Sequence, residues 1–201
     1  MRTLLLLSRD LRVHDHPALH DASAAGEVVP LFVLDDGLLA VSRNRSRFLV
    51  EGLRDLDGAL ADRGGRLVVR RGDPASVAVE VARAVGCDRI AVTQDVSAFA
   101  RRREATLEAG GRAAGIEVRS YAGNAVVEPG DFAPAGTDGY RVFTPYFRAW
   151  SVGPRRTVLP APKRVVVPDG IASDPLPDPA SLPIDAEALP PQREKAKEGE
   201  P

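Results

Sequence analysis

Five short apolar runs punctuate the chain up to Val118: Thr3–Leu7, Val28–Leu34, Leu67–Val69, Ile90–Val92 and Ile116–Val118, each bounded by Gly, Asp or Arg. Their apolar residues are consecutive rather than alternating. That pattern predicts strands buried on both faces, as in a parallel sheet covered by helices. The segments between them carry helical period. Phe48, Leu49, Leu53, Leu56 and Leu60 fall on one face with Arg and Asp opposite, and Gly64-Gly65 stops the helix. Asp73 is a natural N-cap with Pro74 in the first turn, and Val77, Val81 and Val85 carry that helix to Gly86. A further helix is predicted over Arg101–Ala114, ended by Gly115. Strand–helix alternation of this kind predicts a doubly wound, Rossmann-like α/β domain. No Gly-x-Gly-x-x-Gly or Gly-Lys-Ser/Thr is present, which leaves an ATP-binding reading without support.

The pattern stops after Trp150. Eleven of the 17 prolines lie between Pro154 and Pro201, and Pro160, Pro162, Pro175, Pro177 and Pro179 rule out a continuous helix or a central strand there. Val165–Val167 allows a brief extended piece. Gln192–Pro201 is charged, nearly without apolar residues, and expected to be disordered. The boundary is placed near Ser151: an α/β domain over 1–150, then a proline-rich linker and tail over 151–201.

Composition narrows the function classes. A length of 201 residues suits one domain plus an extension. The 27 basic and 28 acidic residues give a net charge of −1, which argues against a strongly nucleic-acid-binding surface and leaves room only for a local patch. The single cysteine, Cys87, excludes an intramolecular disulfide and fits a reducing cytoplasm. No apolar run reaches membrane-spanning length, and Thr3–Leu7 is too short for a signal peptide. A cytoplasmic protein is expected.

Two segments carry a family resemblance: Arg9-Asp10-Leu11-Arg12-Val13-His14-Asp15-His16-Pro17 and Val142-Phe143-Thr144-Pro145-Tyr146-Phe147-Arg148-Ala149-Trp150. Between them, Leu31–Asp35, Asn44-Arg45 with Phe48-Leu49, Leu67–Pro74, and Asp95-Val96-Ser97 with Arg101–Glu104 follow in the same order. The ordered set resembles the N-terminal α/β domain of the DNA photolyase/cryptochrome family over roughly residues 2–170. The resemblance implies a five-stranded parallel sheet in the order 3-2-1-4-5. It also implies an antenna-chromophore pocket at the carboxyl ends of the strands, with Arg9, Asp10, Arg12, Leu34, Asp35, Asn44, Arg45, Phe48 and Asp95 as candidates. A deazaflavin is favoured over a folate, because Asn44, Arg45 and Asp95 offer polar partners to a ring edge. FAD, and the light-driven repair of pyrimidine dimers, belong in the family to a helical domain that follows. This chain is therefore expected to bind an antenna in the context of DNA repair and to lack photolyase catalysis alone. A separate flavin-binding half is the implied partner, with DNA met only indirectly and self-association through an exposed docking face as a further possibility. The alternative is a non-catalytic interaction domain or a folded remnant without chromophore.

The family pattern is not complete. Its aromatic pair and two arginines before Asp-Leu-Arg read Leu6, Leu7, Ser8 and Arg9 here, and its Asp-Asn-Pro reads Asp15-His16-Pro17. For Asp10 and Arg12 the plain alternative is ion pairing that ties the loop to the domain. His14, His16 and His20 read as a solvated loop and helix face rather than a metal site. Arg101-Arg102-Arg103 reads as a solvated helix face, since consecutive helical residues point apart. Cys87, without a nearby His or second Cys, reads as a structural thiol. The aromatic cluster Phe143, Tyr146, Phe147 and Trp150 reads as a packing lid or as a docking surface.

Overall fold

The computed structural model describes residues 1–35, 37, 42–127, 134, 136–137 and 139–178. The charged end, Gln192–Pro201, lies outside the described residues. Five strands form one parallel sheet: β1 (Arg2–Leu7), β2 (Glu27–Leu34), β3 (Val68–Arg71), β4 (Arg89–Thr93) and β5 (Glu117–Tyr121), in the order β3-β2-β1-β4-β5. The central strand is nearly all leucine because both its faces are covered. Leu4 and Leu6 point into one apolar cluster and Leu5 and Leu7 into the other. Helices α1 (Pro17–Ala25) and α2 (Arg43–Ala61) cover the second face with Leu19, Leu53, Leu56 and Leu60. Helices α3 (Pro74–Ala84) and α4 (Ala98–Ala114) cover the first with Ala78, Val81 and Leu107.

The element boundaries differ from the apolar runs in a consistent way. At the sheet's outer strands the ladder continues into polar residues, to Arg71 in β3 and to Ser120 and Tyr121 in β5. Outer strands meet water, so their burial pattern cannot be continuous. Helix α4 begins at Ala98 rather than Arg101, because the Ser97 side chain accepts from the Ala100 N–H at 3.2 Å. Gly111 lets α4 lie against β5: a Cβ there would stand 2.5 Å from Val118 Cγ2 and 2.9 Å from the Ile116 carbonyl oxygen. Cys87 is buried in the turn after α3, and burial pushes its thiol up to about 11, as a structural thiol requires.

The proline-rich residues 154–178 run extended along the domain. The Arg156 guanidinium grips Asp15 through two bonds of 2.6 and 2.7 Å, and the Leu159 carbonyl accepts from the Asp15 N–H at 2.9 Å. Arg156 thereby holds the Asp15 carboxyl well below the usual carboxylate range. Farther on, the Val28 N–H donates to the Val166 carbonyl, and the Val165 N–H donates to the Arg63 carbonyl. Val165 is fully buried and Ile171 nearly so. The strap passes along the outer edge of β3, where the Val69 N–H donates to Ser173 Oγ and the Asp174 N–H donates to the Val69 carbonyl. Prolines suit this course, since an extended strap meets the domain through few N–H groups.

Before the strap lies a further helix, α5 (Phe143–Val152), with none of its residues buried. The packing-lid reading of this aromatic segment does not hold: Phe143 is 72% exposed and Phe147 49%.

Candidate functional site: the switch-point crevice

The strand order reverses beside β1. The chain goes from β1 outward to β2 and β3, then returns to place β4 on β1's other side. The loops leaving β1 and β4 therefore depart toward opposite faces and open a crevice at the carboxyl edge.

Asp10 is the anchor of this crevice and only 1% exposed. One carboxylate oxygen accepts from the Ser8 N–H at 2.9 Å. The other accepts from the Thr93 hydroxyl at the end of β4 and lies 3.1 Å from His16 Nε2. Burial pushes the carboxyl up, but His16, Thr93 and the Ser8 N–H together outweigh it and hold Asp10 at about 2. Asp10 is thus a buried, ionised tie between the β1 loop, β4 and the start of α1.

His16 is not solvated as expected; it is 1% exposed. Its Nδ1 accepts from the Leu19 N–H at 3.2 Å, so the imidazole is the N-cap of α1. An accepting Nδ1 leaves the proton of the neutral ring on Nε2, the atom facing Asp10. The signal was present in the pattern: His16 stands before Pro17 in the slot where the family has Asn, a common cap. Replacing His16 with alanine should therefore cost about 1–3 kcal/mol, through the cap and the Asp10 contact. His16→Asn should recover most of the cap. Urea unfolding of the two variants separates these outcomes.

Toward the mouth of the crevice, Arg9 extends into solvent with its Nε 3.3 Å from Asp95 Oδ2. The Asp95 side chain is itself only 8% exposed, and its Oδ1 accepts from the Ser97 N–H at 2.9 Å. Arg103 reaches in from α4, its Nη2 3.5 Å from Ser8 Oγ. Burial pushes the Arg103 guanidinium down, while Asp10, Asp95 and Glu104 favour its charge. Arg103 Nε is buried without a hydrogen-bond partner among the described residues. Arg101 and Arg102 are exposed as expected, whereas Arg103 is not on a solvated face. Its position was legible: Ala100, Arg103, Leu107 and Gly111 share the 3-4-4 spacing of one buried stripe.

The remaining candidates fall in other roles. Arg12 donates to the Asp15 carbonyl at 2.8 Å and the Gly123 carbonyl at 2.7 Å, tying the loop after β1 to the segment after β5. Leu34 is wholly buried in the core. Asp35 accepts from the Gly37 N–H at 2.8 Å. Asn44, Arg45 and Phe48 lie exposed on the first turns of α2, and residues 36 and 38–41, which lead there from β2, lie outside the described residues. The structure thus brings together Arg9, Asp10 and Asp95, and adds Ser8, His16, Thr93 and Arg103. No cluster of three metal-ligating side chains occurs among the described residues. An open depression of about 740 Å³ lies instead on another segment, lined by Tyr140, Arg141, Val142 and Pro145 among others.

The DNA photolyase family profile matches residues 3–163, most of the chain and all five strands. The chain belongs to the DNA photolyase family. A deoxyribodipyrimidine photo-lyase of Streptomyces griseus is 43% identical over 183 residues, covering 87% of this chain and 40% of the relative. A class III photolyase from Agrobacterium tumefaciens superposes with a TM-score of 0.79 at 25% identity, over 87% of this chain and 37% of that one. An archaeal photolyase from Sulfolobus tokodaii, a structure with two FAD molecules in which a novel light-harvesting cofactor is implied, gives 0.75 at 24% identity, over 86% and 40%. The chain spans about two fifths of the length of these proteins, and its five-stranded parallel sheet is a fold it shares with the two solved structures. No described helix is long and apolar enough to cross a membrane.

Proposed function

We propose that this photolyase-family domain binds a light-harvesting chromophore at the β1/β4 crevice and passes excitation to a flavin-binding catalytic half. The observation that carries the reading is the crevice's polar lining. A half-buried guanidinium, Arg103, has a buried Nε with no partner among the described residues, beside ionised Asp10 and the nearly buried Asp95. An unpaired buried donor is costly, and a flat heteroaromatic with polar edges would satisfy it. The donor set fits such a group: Arg103 and Arg9 offer N–H groups, Asp95 accepts, and Asp10 with Thr93 and His16 keeps the crevice wall rigid. When bound, the chromophore supplies light absorption; the protein's part is to hold and orient it. Of the three residues on which the preference for a deazaflavin over a folate stood, only Asp95 lines this crevice, so both remain candidate ligands. Electron transfer to a pyrimidine dimer would then rest with the FAD-bearing half.

The alternative, an interaction domain without chromophore, is favoured by Arg12 and Leu34, which hold structural positions rather than free pocket-facing ones. The absorbance spectrum of the protein purified from its own host separates the two. A retained band above the protein's own absorption supports the antenna reading. Asp95→Ala should then weaken retention about tenfold or more, equivalent to losing a buried hydrogen bond. A colourless protein that also fails to take up added deazaflavin or folate would sink the proposal.

A further inference from the structure

The two outer strands of the sheet meet different surroundings. The edge of β3 is covered by the chain's own strap, through Ser173 and Asp174. The edge of β5 stands open among the described residues. The Glu117 N–H donates to the Asp88 carbonyl, and the Tyr121 carbonyl accepts from the Gln94 N–H. With the parallel register of β4 and β5, Glu117, Arg119 and Tyr121 therefore turn their backbone groups toward β4. Val118 and Ser120 turn theirs outward, where no described residue bonds to them. An open edge of this kind is a template for another strand.

Charge selects which strand. Glu117 and Arg119 flank Val118 on the face of the sheet that carries α1, and their side chains are 54% and 49% exposed. Each has an opposite charge behind it within the chain: Arg89 lies 2.8 Å from Glu117, and Asp21 lies 3.5 Å from Arg119. Charges on an edge strand ordinarily turn neighbours away. Here they differ in sign on either side of Val118, so a copy of the same strand, turned about that residue, meets them with the complementary sign. We infer that β5 pairs antiparallel with β5 of a second copy of this chain, about a two-fold axis at Val118, joining the two sheets into one. The two Val118 residues exchange backbone hydrogen bonds, and Glu117 of each copy stands opposite Arg119 of the other. A row of alternating sign then crosses the joint: Arg89, Glu117, the second copy's Arg119 and the second copy's Asp21. Moving the axis to Arg119 would set arginine against arginine, which fixes the register. The self-complementary order favours a second copy over an unrelated strand. The inference does not depend on what the crevice binds. The axis reverses strand direction, so the two crevices open at opposite edges of the joined sheet.

One short strand pair makes a small interface, and the dimer is a transient one. Sedimentation of the full chain should show reversible dimerisation across about 10–1,000 μM, and hydrogen exchange at the Val118 amide should slow as concentration rises. Glu117→Arg and Arg119→Glu, each alone, put like charges across the axis and should weaken self-association about tenfold or more. Mixed with each other, the two variants should associate at least as tightly as the native chain, because every arginine of one then meets a glutamate of the other. Circular dichroism checks that each variant is folded, and the Val118 exchange on the native chain needs no variant at all. A native chain that is monomeric at about 1 mM overturns the inference. So does a dimer in which the single variants self-associate as the native chain does, or in which their mixture associates no better than either alone. A Val118 amide that exchanges equally fast in the monomer and the dimer also overturns it, and places the contact on another face.

Discussion

Asp10→Ala is expected to destabilise the domain by about 3–5 kcal/mol, because it strips a buried network of its only anion. Ser8 N–H and the Thr93 hydroxyl would each lose their acceptor, and His16 Nε2 the carboxylate 3.1 Å away, inside a buried site. Against a total stability of about 5–15 kcal/mol, that loss is large. Asp10→Asn keeps the shape and one acceptor oxygen, and should cost about half as much. The pH dependence follows from the carboxyl's position. Its folded value of about 2 lies below the ordinary 3.8, so the native state favours the ionised form. The stabilisation is therefore complete above about pH 4 and is lost as pH falls through 2, an amount of about 2 kcal/mol. Urea midpoints measured between pH 7 and pH 2 should fall more steeply for the native protein than for Asp10→Asn. Parallel curves would show that Asp10 does not hold the crevice together in its charged form.

The fold was legible where burial was two-sided. Runs such as Leu4–Leu7 in β1 and Ile90–Val92 in β4 have no polar alternation because helices cover both faces, and that is a property of the residues themselves. The strand order came from the family resemblance, since period and composition do not say which run lies beside which. The outer strands were legible only in part, because Arg71, Arg119 and Ser120 continue the ladder where one side faces water. Helix α5 read as an aromatic cluster rather than as an element: Pro145 falls within its first turn, where proline's missing N–H costs nothing, but where it also ends most helical readings.

The site was half legible for a different reason. Arg9, Asp10 and Asp95 follow strand ends, and strand ends of a doubly wound sheet converge by topology alone. Whether a polar side chain there turns inward depends on partners distant in sequence. Asp10 meets Thr93 across 83 positions, and Arg12 meets Gly123 across 111. No local pattern encodes those pairings. Arg103 and His16 did have local signals, a helical stripe and a cap position, but each carries a polar type that composition alone assigns to the surface.

The proline-rich strap supplies the last test, because two adjacent valines on it differ only in direction. Val165 is wholly buried against α2's end, where a Cβ added at Gly65 would stand 3.0 Å from its Cγ1. Val166 is 37% exposed and contributes its backbone, whose carbonyl accepts from the Val28 N–H. Val165→Asp would place a carboxylate in the apolar cluster that holds Leu60, Leu67 and Val28. The expected cost is about 4 kcal/mol, a fall of about 10 °C in the thermal midpoint for a domain of this size. Val166→Asp leaves the backbone bond in place and should change stability by no more than about 0.5 kcal/mol. If the strap is part of the folded core, the two variants diverge in this way by calorimetry. If both are silent, the residues after Gly153 are dispensable to the fold, and the strap's hydrogen bonds to Asp15, Val28 and Val69 contribute nothing measurable to it.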